Sequence, residues 1–221
     1  MTRHIFSAQP PKFTPAPFVM EPGDIECEPM LFQASFEFAM RHAGPFTAAI
    51  LGNLYDVPHV EALRIDTRSH MLMPGWYPCI PGWHCDFKRA RDGLQVLDSE
   101  RDARVQHYQW ISSGPLTEFA VGPIDDSCGD DVRWCDGDAV SWKEIDTELS
   151  WHPPRVSQIP PQHIVTYDAS ALHRGVAWDG PPGHWRFFFR ASHFPEGDQH
   201  RVYANKVRKQ VQVYCDLHGG W

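Results

Sequence analysis

The sequence has no surplus of positive charge: 20 Lys and Arg stand against 28 Asp and Glu, a formal net charge of −8. Such a chain has no general field for a polyanion, so nucleic acid is possible as a partner but not supported by net charge. Arg89, Arg91, Arg101 and Arg104 make one local basic cluster, for which a solvated loop is the simpler account. Long apolar runs are missing as well. No stretch approaches the roughly 20 residues that span a bilayer, and the opening MTRHIFSAQPPKF has no apolar export segment. The expectation is a cytoplasmic protein with no membrane partner. C-x-x-C pairs are absent too, which leaves a structural zinc site without support. The six cysteines read as reduced thiols, with a Cys128–Cys135 bridge as the minor alternative. There is no internal repeat and no compositional break, so residues 1–221 read as a single domain.

What the chain has in quantity is aromatics and breakers: 9 Trp, 13 Phe, 20 Pro and 16 Gly. That mixture favours short strands joined by turns over long helices. Residues 1–29 read as an extended arm, and 28–43 carry apolar groups near helical spacing until Gly44-Pro45 stops them. Residues 46–54 suit a short helix or a strand. Strands are expected at VEALRIDTRSHMLMP (60–74), 104–112, 116–121, 163–168, 172–178 and 184–193, with a helix over 137–149 capped by Asp138. The segment 200–214 suits either state. Many short strands preceded by helices predict a mainly β fold, a sandwich or jelly roll with N-terminal helical support.

Within the Pro/Gly-dense passage 74–87, His84 and Asp86 are two residues apart. On extended backbone such residues point to one side and can reach one metal ion. Alone, H-x-D is weak in a chain with 13 His. Downstream, His173 sits in ALHRG after the strand HIVTYD, and HWRFFFRASH follows. By alternation Arg186, Phe188, Arg190 and Ser192 share one face of that strand. An Arg with a Ser two residues on can clamp a carboxylate, and a buried Arg is costly without an anionic partner. His163 and His184 are rival third ligands, both better explained as surface or structural groups. Cys85 should point away from the metal as a small core residue. On 104–112, either Tyr108 and Trp110 or His107 and Gln109 face inward; Gln106, Tyr108 and Trp76 are weak pocket candidates, and Met71 and Met73 suit core packing.

In order, His84, Asp86, His173 and Arg190-Ala191-Ser192 make the sequence resemble the Fe(II)/2-oxoglutarate-dependent oxygenase superfamily over residues of about 60–195. The resemblance implies a double-stranded β-helix (a cupin-like jelly roll) over that region. It implies Fe(II) held by His84, Asp86 and His173, and 2-oxoglutarate as co-substrate. Arg190 and Ser192 would bind the distal carboxylate of 2-oxoglutarate, with Arg186 as the rival anchor. The implied activity is a dioxygenase, most simply a hydroxylase, acting on a small-molecule or locally presented substrate and releasing succinate and CO2. The alternatives are a cupin-type metalloprotein with other chemistry and a non-catalytic binding protein on the same scaffold.

Overall fold

The computed structural model describes residue 6 and residues 10–86, 89–91, 94–96, 98–122, 135–136, 139–198, 200–208 and 214–215. It is mainly sheet with few helices. The strands that build the site region are β1 (Lys12–Pro15), β2 (Met30–Phe32), β3 (Ala34–Ser35), β4 (Arg64–Leu72), β5 (Gln106–Ile111), β6 (Glu118–Val121), β7 (Arg155–Gln158), β8 (His163–Asp168), β9 (His173–Arg174), β10 (His184–His193) and β11 (Lys206–Arg208). The helices are α1 (Pro22–Cys27), α2 (Phe36–His42), α3 (Pro45–Gly52), α4 (Ser99–Arg104) and α5 (Trp142–Trp151). Among the described residues no helix is long and apolar enough to cross a membrane.

A six-stranded antiparallel sheet runs in the order β1-β8-β5-β10-β4-β3, and a three-stranded one in the order β7-β6-β9. A backbone bridge between His84 and His173 adds one residue to the edge of the smaller sheet. Side chains of the two sheets meet where the Phe119 ring lies 4.8 Å from that of Tyr167.

The spine of the larger sheet is β10, paired with β4 from Ser192↔Arg64 to His184↔Leu72 and with β5 on its other side. Its two-residue period sorts the side chains. Phe187, Phe189 and Ala191 enter a core shared with Ile65, Trp110 and Leu31, where each buried Phe contributes about 2–3 kcal/mol. Arg186, Phe188, Arg190 and Ser192 therefore face the other way. On β4 the same rule turns Thr67 and Ser69 toward the N-terminal layer. The Thr67 hydroxyl accepts from Leu31 N at 2.7 Å and donates to Pro29 O at 3.1 Å, and the Ser69 hydroxyl donates to Ile25 O at 2.8 Å. These contacts tie β4 down and commit Asp66, Arg68 and His70 to the opposite face.

Several elements differ from the sequence expectation. The helix expected over 28–43 is confined to Phe36–His42. Before it, β2 pairs with β11, Gln33 takes a positive φ of 45°, and the Ser35 side chain caps α2 by accepting from Phe38 N. Tertiary pairing overrides the helical spacing there. The arm of 1–29 contains β1, which pairs with β8, and α1. Residues 46–54 resolve to α3, whose Gly44 cap has no side chain; buried Glu28 accepts from Thr47 N at 3.0 Å in its stead. The helix near 137–149 begins at Trp142 with Ser141 as cap, accepting from Glu144 N; Asp138 and Cys128 lie outside the described residues. The strand expected at 172–178 shortens to His173–Arg174, while 200–214 contains the strand Lys206–Arg208. The strand β7 and the helix α4 were not anticipated. On α4, Arg101 is buried and ion-paired with Asp198 and Asp102, so it belongs to no surface basic cluster. The side chains of Arg89 and Arg91 lie outside the described residues.

The Thr67 contacts make a prediction. Thr67→Val keeps the shape but leaves the Leu31 N–H and the Pro29 carbonyl without their partner, and should lower stability by about 2–3 kcal/mol in urea unfolding.

Candidate metal centre

The segment carrying His84 is pinned from two sides. Trp83 is buried with Cys85, Ile145 and Leu149, and its backbone N–H donates to Asp146 Oδ1 on α5 at 2.9 Å. The Arg174 guanidinium lies 4.6 Å over the Trp83 ring, itself held by Glu118 at 2.8 Å. Trp83 and Cys85 thus occupy one side of an extended segment, and His84 and Asp86 are left on the other. His84 exchanges two backbone hydrogen bonds of 2.9 Å with His173, which sets the two rings 4.6 Å apart.

The ligand atoms of His84, Asp86 and His173 all lie within 4.8 Å of one another, so the three could hold a metal ion. His173 Nε2 is 3.4 Å from Asp86 Oδ2, close to the roughly 3 Å between two ligand atoms at right angles around an ion with bonds of about 2.1 Å. The tautomers suit this. Nδ1 of His84 is 2.7 Å from Gly82 O and Nδ1 of His173 is 2.9 Å from Ala171 O. A carbonyl can only accept, so each Nδ1 carries the proton and each Nε2 keeps its lone pair. Burial, reinforced by neighbouring His173, lowers the His84 pKa to about 4, which keeps the ring neutral at pH 7.

Asp86 is held ionised. Burial alone would raise its pKa, but the Arg190 charge and the contact with His173 carry it well below the usual carboxylate range. Arg190 Nη1 donates to Asp86 Oδ2 at 2.5 Å. The register explains the meeting, since Arg190 stands opposite Asp66 on β4 and Gln109 on β5. Tyr167 donates to Gln109 Oε1 at 3.0 Å, and the Gln109 amide donates to Thr117 at 2.8 Å.

Next to the triad lies a cavity of about 120 Å³ whose walls include Arg68, His70, Cys79, Thr117, Arg186 and Phe188. Arg186 is 1% exposed. Its Nε donates to Pro115 O at 3.1 Å, and it has no carboxylate partner among the described residues. Burial, with Arg68 acting in the same direction, lowers its pKa to about 10, so it remains a cation at pH 7. His70, opposite Arg186 across the strand pair, is buried with neither ring nitrogen hydrogen-bonded. Burial, then Arg186 and Arg68, hold it neutral.

The structure brings His84, Asp86, His173, Arg186 and Arg190 to one cavity. Ser192 is not in its wall; it is fully buried and its hydroxyl pairs with His107 Nδ1 at 3.0 Å. Nor are His163, whose Nδ1 meets Pro161 O, and His184, stacked on Trp178. Of the two alternatives on β5, Gln109 faces the cavity, whereas Trp110 packs in the helical-side core. Gln106, Tyr108 and Trp76 do not line the cavity. Sequence reasoning missed Arg68 and His70, although the alternation D-T-R-S-H on β4 put both on the face of Asp66.

Two measurements follow. Metal-free protein should take up one equivalent of Mn(II) in calorimetry, and His84→Ala or His173→Ala should weaken binding by two orders of magnitude or more while Cys85→Ala does not. The second concerns pH. His70, His84 and His107 are all held neutral in the fold by burial. The unfolded chain takes up their protons near pH 6.5, whereas folded His84 resists to about 4. Their stabilisation is full above pH 6.5 and is lost as pH falls below it, by up to about 1.4 kcal/mol per pH unit for each histidine. Denaturant midpoints of the metal-free protein should therefore drop from pH 6.5 toward 4, and His70→Leu should flatten that slope.

No protein-family model matches this chain, and no curated protein matches it.

Proposed function

We propose that the chain is an Fe(II)- and 2-oxoglutarate-dependent oxygenase, most simply a hydroxylase, on a double-stranded β-helix. The observation that carries the reading is a buried guanidinium without a carboxylate partner among the described residues, Arg186, in the same cavity as the His-Asp-His set. Two imidazoles and one carboxylate on one side of an octahedral ion leave the other positions open, the arrangement of non-haem Fe(II) oxygenases. Two antiparallel sheets with the triad beside the cavity are compatible with a jelly roll. Bound there, iron and 2-oxoglutarate would supply the oxidising chemistry that ends in succinate, CO2 and a hydroxylated substrate.

The chain's own residues would divide the remaining work. The two Nδ1 contacts fix the ligand rings, and Arg190 orients Asp86 while offsetting its charge. That contact bears on the choice of co-substrate anchor. The R-x-S pattern favours Arg190 with Ser192, but Arg190 is engaged by Asp86 and Ser192 by His107. Arg186 is the better anchor for the distal carboxylate, because its burial costs least once an anion arrives. His70, cross-strand from it, can add one N–H donor to the same oxygens.

The test is anaerobic. Fe(II)-loaded protein should show a charge-transfer band on adding 2-oxoglutarate, and in air should release succinate. Arg186→Met should weaken 2-oxoglutarate about 100-fold, the loss of two charge-assisted hydrogen bonds at about 1.5 kcal/mol each. A metal-loaded protein that neither shows the band nor binds 2-oxoglutarate would sink the reading.

A further inference from the structure

The cavity holds one cation more than a single co-substrate needs. The two carboxylates among its described lining residues are engaged: Asp86 with Arg190, and Asp66 with Gln33 N at 3.0 Å and, more distantly, Arg64 at 3.7 Å. Its cations include Arg68, Arg186 and Arg190. Arg190 is matched by Asp86, and Arg186 is assigned above to the co-substrate. Arg68 is left. It is half-buried in the cavity wall, and it has neither a hydrogen bond nor an ion pair among the described residues. A long cationic side chain on an exposed surface commonly has no partner. One on a core strand, in the wall of a cavity, is positioned for an anion that enters it.

The register says where that anion would sit. Arg68 lies opposite Phe188, two cross-strand pairs, or one same-face step, from both Asp66–Arg190 and His70–Arg186. Successive same-face pairs are about 6.6 Å apart along a strand. Arg68 is therefore midway between the metal ligands' end of the face and its Arg186 end. Apolar side chains share the cavity wall with it: Phe188, its cross-strand partner, and Pro78 and Ile80 of the segment after β4.

We propose that Arg68 is a specificity-determining residue that receives a carboxylate of the primary substrate, and that the substrate class is a small organic acid with an apolar body. This rests on the oxygenase reading for the assignment of Arg186. The cavity measures about 120 Å³ and would have to admit the co-substrate as well, which restricts the acid to a small one. The positive lining within a chain of net charge −8 gives the anion a local reason to enter.

The full chain loaded with Mn(II) and saturated with 2-oxoglutarate is titrated with propionate and benzoate, and with propionamide and benzamide as uncharged counterparts. The acids should bind at least tenfold more tightly than the amides. Arg68→Met should remove that preference, and Arg68→Lys should keep part of it, while 2-oxoglutarate affinity changes less than twofold in either variant. Equal binding of acids and amides overturns the proposal. So does a tenfold loss of 2-oxoglutarate affinity in Arg68→Met, which would make Arg68 part of the co-substrate clamp. If wild-type protein binds no 2-oxoglutarate, the oxygenase reading fails by itself, and the acid–amide comparison on the Mn(II) protein still decides the role of Arg68.

Discussion

The ion pair between Arg190 and Asp86 is the interaction on which the rest of the centre depends. Burial disfavours the charged form of each partner, and the charge of the other offsets that penalty. Removing one member of such a pair commonly costs about 3–5 kcal/mol, because the other stays behind uncompensated. The pair also links two parts of the fold. Asp86 comes from the segment beside the smaller sheet, Arg190 from the middle of the larger one, and the contact holds the ligand segment against the sheet face.

That face is charged because the opposite face is not. β10 commits Phe187, Phe189 and Ala191 to the helical-side core, and β4 commits Thr67 and Ser69 to hydrogen bonds with the N-terminal layer. With a period of two, every residue between them must then turn toward the cavity. A one-residue slip would exchange the two sets and bury guanidinium groups among phenylalanines. The register is thus specified from behind, by groups that do not line the cavity.

Some of this was legible in the sequence. The strand 184–193 could be placed to the residue, because three consecutive Phe between alternating cations leave few other arrangements. The H-x-D spacing and the order of His173 after it pointed to the three groups that do converge. Helical spacing over 28–43 misled, because β2 gains its partner from residues 206–208, far along the chain. The R-x-S pattern pointed to Arg190 and Ser192, and nothing local could reveal that Asp86 and His107 engage them.

By itself, then, the sequence determined which side chains share a face, since that follows from the two-residue period and needs no knowledge of partners. It also determined the chemical types available: imidazole, carboxylate and guanidinium, in the order in which they occur. Only the tertiary structure decided which cations are already engaged and which stay open. Pairing is a property of distance between residues such as Asp86 and Arg190, 104 positions apart. That decision left Arg68 and Arg186 facing the cavity without a carboxylate partner among the described residues, which no local pattern encodes.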